Sequence, residues 1–228
     1  MIGIIGAMRV EVAALKEKMT DTVCERVGSV EYVSGRLYGK DIVVAECGIG
    51  KVFAAMCAQA MILRYRPDIV INTGVAGTLT HSLSIGDIAI ADRLVQHDMD
   101  TSALGDPVGL VSGINKIYFE ADGEAVSIVS DITRDMGVKS ACGTVASGDC
   151  FINDREKKSR IVDTFGAMAC EMEGAAIAQV CYVNNTPFAV IRAISDDASG
   201  EKQTEYTTFL QDAASKSIAI LEQFIKKY

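Results

Sequence analysis

The chain has 228 residues, 49% of them hydrophobic and only 3 proline, so it can bury a sizeable core; no linker-like stretch divides it, and residues 1–228 are read as a single domain. Its formal net charge of −8 disfavours nucleic acid and anionic membrane as partners, since both need basic patches. The 7 cysteines are odd in number, scattered and without a Cys-x-x-Cys pair, which argues against a disulfide frame or zinc site and for the reduced, mostly buried thiols of a cytosolic protein.

Apolar runs alternate with helical patterns along the chain, as in α/β proteins. The apolar opening from Met1 to Met8 is too short for a signal sequence and runs straight into Arg9 and Glu11. Within it, Ile2 to Ile5 predicts a strand, and a helix follows from about Val10 to Met19. Glu31 to Leu37 and Asp41 to Cys47 predict a hairpin turned by Tyr38-Gly39-Lys40. The spacing of Val52, Ala55, Met56, Gln59, Ala60 and Leu63 predicts a helix from Lys51 to Tyr65, stopped by Pro67-Asp68. Ile69 to Asn72 and Asp87 to Ala91 predict strands. From Thr101 to about Asn115 the chain carries Gly105, Pro107, Gly109 and Gly113 and predicts an irregular loop; loops this long are usually functional or lie at an interface. A helix from Asp122 to Met136 has Asp122 as its cap. Ala141 to Ser147 predicts a strand and Ala169-Cys170 a short one. A helix from Met172 to Val183, a strand from Pro187 to Ile194 and a last helix from about Tyr206 to Lys226 complete the pattern. The last helix has an apolar face through Leu210, Ala214, Ile218, Leu221 and Ile225. No run of the ~18 apolar residues needed to span a bilayer occurs.

The run from Phe188 to Asp196 is core-like except for Arg192 inside it and Asp196 at its end. A buried arginine is costly unless it meets an anion or a polar ligand. A carboxylate at the carboxyl end of a strand sits where open α/β sheets bind ligands. Glu171-Met172-Glu173 adds acidic groups at a strand-to-helix junction just upstream. These residues suit a polar, hydroxyl-rich, partly cationic substrate.

Other strand ends carry glycines. Gly3-Ile-Ile-Gly6-Ala-Met8 lacks the full dinucleotide fingerprint and reads equally as a tight turn, while Glu11 beyond it is either a helix-dipole partner or a carboxylate aimed over the strand ends. Cys47-Gly48-Ile49-Gly50-Lys51 resembles the tail of a phosphate-binding loop but lacks the upstream glycine and the final Ser or Thr, so nucleoside triphosphate binding is set aside. With Asn72-Thr73-Gly74-Val75-Ala76-Gly77, three such strand ends suggest one shared crevice. In Ser147-Gly148-Asp149-Cys150-Phe151-Ile152, Phe151 is either core or a ring stacking on a flat heterocycle, and Met172 has the same two readings. His81 and His97 lack helical partners and read as structural or exposed. No metal-ligand spacing of usual type is present.

Taken in order, Ile-Ile-Gly-Ala-Met with Glu11, Gly-Ile-Gly-Lys, Asn-Thr-Gly-Val-Ala-Gly, Gly-Asp-Ile-Ala-Ile-Ala-Asp, His-Asp-Met-Asp, Ser-Gly-Asp-Cys-Phe-Ile, Glu-Met-Glu-Gly-Ala-Ala and Arg-Ala-Ile-Ser-Asp resemble the methylthioadenosine/S-adenosylhomocysteine nucleosidase family, within the purine nucleoside phosphorylase-like superfamily. The resemblance covers essentially the whole chain. It implies a three-layer α/β/α domain with a mixed, twisted central sheet, a homodimer, hydrolysis of the adenine–ribose bond, and neither cofactor nor metal. By the same resemblance Glu11 is the general base on water, Asp196 the acid at adenine N7 and the amino group, and Arg192 a residue positioning the water and the carboxylates. Glu173 accepts the ribose hydroxyls and Met172 packs on the sugar. Phe151 stacks on adenine, with the Ile152 backbone and Ser195 also at the substrate. Met8, Ile49 and Tyr206 line the alkylthio tail, and the Thr101 loop reaches the partner subunit's pocket. The chain departs from the family pattern at Val75, where Thr-Gly-Ser-Ala-Gly has a serine whose hydroxyl helps hold the water. Glu11, Arg192 and backbone groups are left to hold it. Asp197, next to Asp196, is expected to be solvated because consecutive strand residues point apart.

Overall fold

The strands are β1 (Ile2–Gly6), β2 (Thr20–Val27), β3 (Val30–Leu37), β4 (Lys40–Glu46), β5 (Ile69–Thr78), β6 (Ile88–Gln96), β7 (Tyr118–Glu120), β8 (Ser140–Ser147), β9 (Ala169–Glu171) and β10 (Phe188–Asp196). The helices are α1 (Arg9–Lys18), α2 (Lys51–Tyr65), α3 (Gly123–Asp135), α4 (Arg155–Phe165), α5 (Gly174–Val183) and α6 (Gln203–Lys227). The computed structural model of the chain describes residues 1–196 and 203–228, with side chains described for 1–196 and 209–228.

Among the described residues, all ten strands join one mixed sheet. Strands β4, β1, β5 and β10 lie side by side and parallel. Every residue of β1 and β5 is buried, as expected for parallel strands covered on both faces. Strand β10 also pairs antiparallel with β6, and β6, β8, β9 and β5 are linked in turn, so this half of the sheet curls back on itself. The hairpin β3–β4 and the edge strand β2 extend the other side.

Helices cover both faces, giving the expected three layers. On one face Cys57, Ala58 and Met61 of α2 and Ala175, Ala178 and Cys181 of α5 pack on Ile5, Val43 and Val70. On the other, Leu15 of α1, Val129 and Ile132 of α3, and Leu221 and Phe224 of α6 pack on Ile4, Ile71 and Ile191. Small residues on α2 and α5 let the two helices approach each other closely. Asp122 caps α3 as expected, accepting from the Ala125 amide.

The departures from the expected elements have local causes. Strand β5 continues past Asn72 to Thr78, because pairing with β10 and β9 carries the glycine-rich segment as sheet rather than turn. Strand β2 is largely exposed, so its polar sequence lacks the alternation that marks a half-buried strand. Helix α4 has no marked sequence pattern; Asp154 caps it through the Lys157 amide, and only Ile161 and Phe165 supply buried apolar side chains. The loop after Thr101 contains a short 3-10 turn, Ser102–Leu104, and one isolated bridge, Val111 to Lys116. Cys47, Cys57, Cys170 and Cys181 are buried and Cys24, Cys142 and Cys150 exposed, all as free thiols.

Candidate active site

Because β1, β5 and β10 are parallel neighbours, their carboxyl ends open on the same edge of the sheet. The register sets Arg192 opposite Gly74 and Asp196 opposite Gly77, with an irregularity between Ile194 and Asp196. Such a bulge re-aims side chains, and both Ser195 and Asp196 line the cavity here. Strand β9 runs antiparallel to β5 and brings Glu171, Met172 and Glu173 to the same place. Strand β8 pairs Ser147 with Glu171 and so delivers the loop that carries Phe151.

The result is a cavity of about 300 Å³. Of the residues anticipated, Met8, Glu11, Ile49, Val75, Phe151, Met172, Glu173, Arg192, Ser195 and Asp196 line it. The side chain of Ile152 is instead packed with Ile161 and Phe165 under α4. Tyr206 falls within α6, but its side chain lies outside the described residues, as does Asp197. His81 is exposed and His97 lines a separate hollow beside Val108 and Phe165. Among the described residues no group of three or more His, Cys, Asp or Glu could hold a metal ion.

Glu11 reconciles its two readings. It is the third residue of α1, and its Oε2 accepts the amides of Ala7 at 2.7 Å and Met8 at 2.9 Å, which caps the helix. Its Oε1 accepts the Val75 amide at 3.2 Å. A carboxylate has about four acceptor sites, so three backbone donors fix its orientation and leave capacity for one more hydrogen. Burial pushes the Glu11 carboxyl above its usual range, and Arg192 with the three amides offsets this only in part. A carboxyl raised in this way accepts a proton more readily than an ordinary one.

Arg192 is 1% exposed and meets the anion that its position demanded. Its Nη2 donates to Glu171 Oε2 and to Asn72 Oδ1, and lies 3.6 Å from Glu173 Oε2. Its Nη1 donates to the Val75 carbonyl at 3.4 Å. Glu171 is further held by the Glu173 amide at 3.0 Å, the Gly174 amide at 2.8 Å and the Ser147 hydroxyl. A carboxylate at the start of α5 also complements the helix dipole. The sequence places Glu171 among the acidic groups for the substrate, but the fold turns it onto Arg192; Asn72 and Ser147 carry no such expectation. Asn72 had one usable signal, a lone amide on an otherwise apolar strand, and it also donates to the Ile5 carbonyl at 2.9 Å, tying β5 to β1.

Glycine is required at two of these positions by close approach. A Cβ on Gly74 would sit 2.6 Å from Glu11 Oε1 and against Arg192, and one on Gly77 would sit 2.5 Å from Asp196 Oδ2. The Ser195 hydroxyl donates to Asp196 Oδ1 at 3.0 Å.

Glu173 Oε1 accepts the Gly50 amide at 2.9 Å. Burial, then the Glu171 carboxylate, push the Glu173 carboxyl up to about 7. Between 4.5 and about 7 the folded protein therefore holds a proton that the unfolded chain has lost, and this contribution to stability disappears as pH rises through that window. Chemical denaturation across pH 4.5–7 should show the stability of the native sequence falling with pH relative to Glu173→Gln. Parallel curves would contradict the raised carboxyl.

A family model described as the phosphorylase superfamily matches residues 1–226. A protein of Staphylococcus aureus (strain MRSA252) named 5'-methylthioadenosine/S-adenosylhomocysteine nucleosidase is 40% identical over 228 residues, 100% of both chains. One of the same name from Shewanella loihica is 41% identical over 227 residues, covering 99% of this chain and 98% of that one. Among solved structures, the nucleosidase of Neisseria meningitidis in complex with methylthio-immucillin-A superposes with a TM-score of 0.94 at 35% identity, covering 100% of this chain and 99% of that one. The futalosine hydrolase of Helicobacter pylori superposes with a TM-score of 0.95 at 34% identity, covering 100% and 97%. With match and fold extending over the whole length, the chain belongs to the phosphorylase superfamily and, within it, to the 5'-methylthioadenosine/S-adenosylhomocysteine nucleosidase family.

Proposed function

We propose that this protein hydrolyses the N-glycosidic bond of methylthioadenosine and S-adenosylhomocysteine, releasing adenine and the thio-ribose. The observation that carries hydrolysis over phosphorolysis is the charge of the cavity. Among the described residues that line it, Arg192 is the one cationic side chain, and it is already engaged by Glu171 and Glu173. A phosphate dianion would need a free arginine or lysine and would face Glu11. Water needs only an acceptor for its proton.

Breaking this bond builds positive charge on the ribose ring and negative charge on adenine. Glu11 takes the proton of the attacking water as the oxygen bonds to the anomeric carbon. Asp196 donates a proton or hydrogen bond to N7 as the electrons of the glycosidic bond move onto adenine. Glu173 accepts from the ribose hydroxyls, and the surrounding carboxylates favour the cationic sugar. Met172 and Phe151 flank the nucleoside, and Met8, Ile49 and Tyr206 take the tail. Arg192 acts through the carboxylates, holding Glu171 and Glu173 in place. Val75 offers its amide to Glu11 but no hydroxyl to the water, so this chain relies on Glu11 and backbone groups there.

The same reading includes a homodimer in the cytoplasm. Support for the dimer comes from an apolar stripe on the outer face of α2, where Val52, Phe53, Met56 and Leu63 are exposed, together with Leu104 at 83% exposure on the loop after Thr101. Support for the compartment comes from the seven unpaired cysteines. No described helix is long and apolar enough to cross a membrane.

Adenine release from methylthioadenosine, S-adenosylhomocysteine, a 5'-deoxyadenosine derivative and aminodeoxyfutalosine, with and without inorganic phosphate, tests the reading. Turnover should proceed at full rate without phosphate; strict phosphate dependence overturns hydrolysis. Glu11→Gln and Asp196→Asn should each lower kcat by roughly 100- to 10,000-fold. Val75→Ser should raise kcat severalfold, on the order of one restored hydrogen bond; an unchanged kcat would mean that the hydroxyl is dispensable here. Sedimentation should find a dimer that Met56→Glu converts to monomer, with Leu104→Ala raising KM in the dimer. A monomeric native protein would refute the shared site.

A further inference from the structure

Three segments singled out in the sequence have no part in the chemistry above: Lys51 after the Gly48-Ile49-Gly50 turn, Asp98 in His97-Asp98-Met99-Asp100, and Asp149 in Ser147-Gly148-Asp149. The fold brings them together. Lys51 Nζ lies 2.6 Å from Asp98 Oδ1 and donates to Gln96 Oε1 at 3.1 Å. Asp98 Oδ2 accepts the Asp149 amide at 2.9 Å. Asp149 Oδ1 accepts the Lys51 amide at 2.7 Å. This closes a ring through the start of α2, the end of β6 and the end of β8. The Lys51–Asp98 pair is half-buried, with side-chain exposures of 19% and 30%, so it is less screened than a surface pair.

Two of the three residues in the ring, Lys51 and Asp149, adjoin walls of the cavity. Ile49 precedes Lys51 by two residues and Phe151 follows Asp149 by two, and both line the cavity from opposite loops. Both side chains are exposed, at 55% and 46%, so the loops that carry them set where they stand. Between Ile49 and Lys51, Gly50 has φ = 101° and lies beside Asp149, whose Oδ1 would be 3.0 Å from an added Cβ. That conformation aims the Gly50 amide at Glu173.

We propose that Lys51, Asp98 and Asp149 form a positioning tether, which sets the separation of the Ile49 and Phe151 walls and keeps the Gly50 amide on Glu173. The proposal deepens the nucleosidase reading and rests on it. It also accounts for the partial resemblance of Gly-Ile-Gly-Lys to a phosphate loop: the ammonium of Lys51 turns to Asp98 and is absent from the cavity lining. None of the three residues touches the reacting atoms. They act through Gly50 and through the two loops.

The tether has a signature that mere stabilisation lacks. Glu173 faces Glu171 from β9, Arg192 from β10, Glu11 from α1 and the Gly50 amide and Cys47 from the turn before α2. Of these, Arg192 and the Gly50 amide favour its ionised form. Loosening Gly50 removes one of the two, so the pH at which Glu173 ionises moves up.

The experiment measures steady-state adenine release from methylthioadenosine over pH 5–9 for the full chain and for Asp98→Ala, Lys51→Met and Lys51→Arg. Asp98→Ala should raise KM about tenfold or more, the order of one charge-assisted hydrogen bond, with kcat near native at high pH. The acid limb of its kcat/KM profile should shift to higher pH. Lys51→Met keeps the backbone link to Asp149 and should show both effects in smaller degree, which serves also if Asp98→Ala fails to fold. Lys51→Arg should be near native. Variants that fold and match the native KM and pH profile would overturn the tether alone, as would loss of kcat at native KM. A native protein that neither binds nor releases adenine would overturn the nucleosidase reading, and the tether with it.

Discussion

The site depends on one buried guanidinium. Arg192 lies in the middle of a strand covered on both faces, where an unpaired charge would be prohibitive. It is tolerated because Glu171 and Asn72 take one end of it and Glu173 and Glu11 stand around it. Buried pairs of this kind are weak sources of net stability, since desolvation cancels much of the attraction, but removing one partner strands the other. Their value here is geometric. A cation at the centre of three carboxylates draws these groups together, although burial still holds the Glu11 and Glu173 carboxyls above their usual range.

The second means of holding those charges is the backbone. Glu11 is gripped by three amides, Glu171 by two, and Glu173 by one. Fixed amide dipoles need no reorganisation as charge develops in a reaction, which is the physical basis of preorganised catalysis. The glycines follow from the same demand. Gly74 and Gly77 leave room for Glu11, Arg192 and Asp196 beside β5, and Gly50 turns its amide toward Glu173. A carboxylate-rich, amide-lined cavity suits a transition state with a cationic sugar. It suits a phosphate nucleophile poorly.

Much of this was legible in the chain before folding. The oddity of Arg192 and Asp196 on a core-like strand located the site, and glycines at three strand ends indicated a common crevice. Glu11 was ambiguous because capping and catalysis make the same local request, an acidic residue in the first helical turn; the folded protein satisfies both with two oxygens of one carboxylate. Other parts were invisible for physical reasons. The partner of Glu171 was invisible, since only the pairing of β9 with β8 and β5 sets it on Arg192, which also has Glu173 at 3.6 Å. Strand β2 carries no apolar alternation because it lies at an exposed edge. Helix α4 contributes too few buried side chains to announce itself.

The sequence alone determined the α/β alternation, the family and the identity of the charged groups, because periodicity, glycine placement and side-chain chemistry are local properties. Tertiary structure alone decided which carboxylate meets which donor, that Ile152 turns its side chain into the core beneath α4, and that Lys51 points to Asp98 instead of the cavity. Those outcomes depend on strand register and on contacts between residues tens of positions apart. No local pattern encodes them, because their energies exist only once the sheet has assembled.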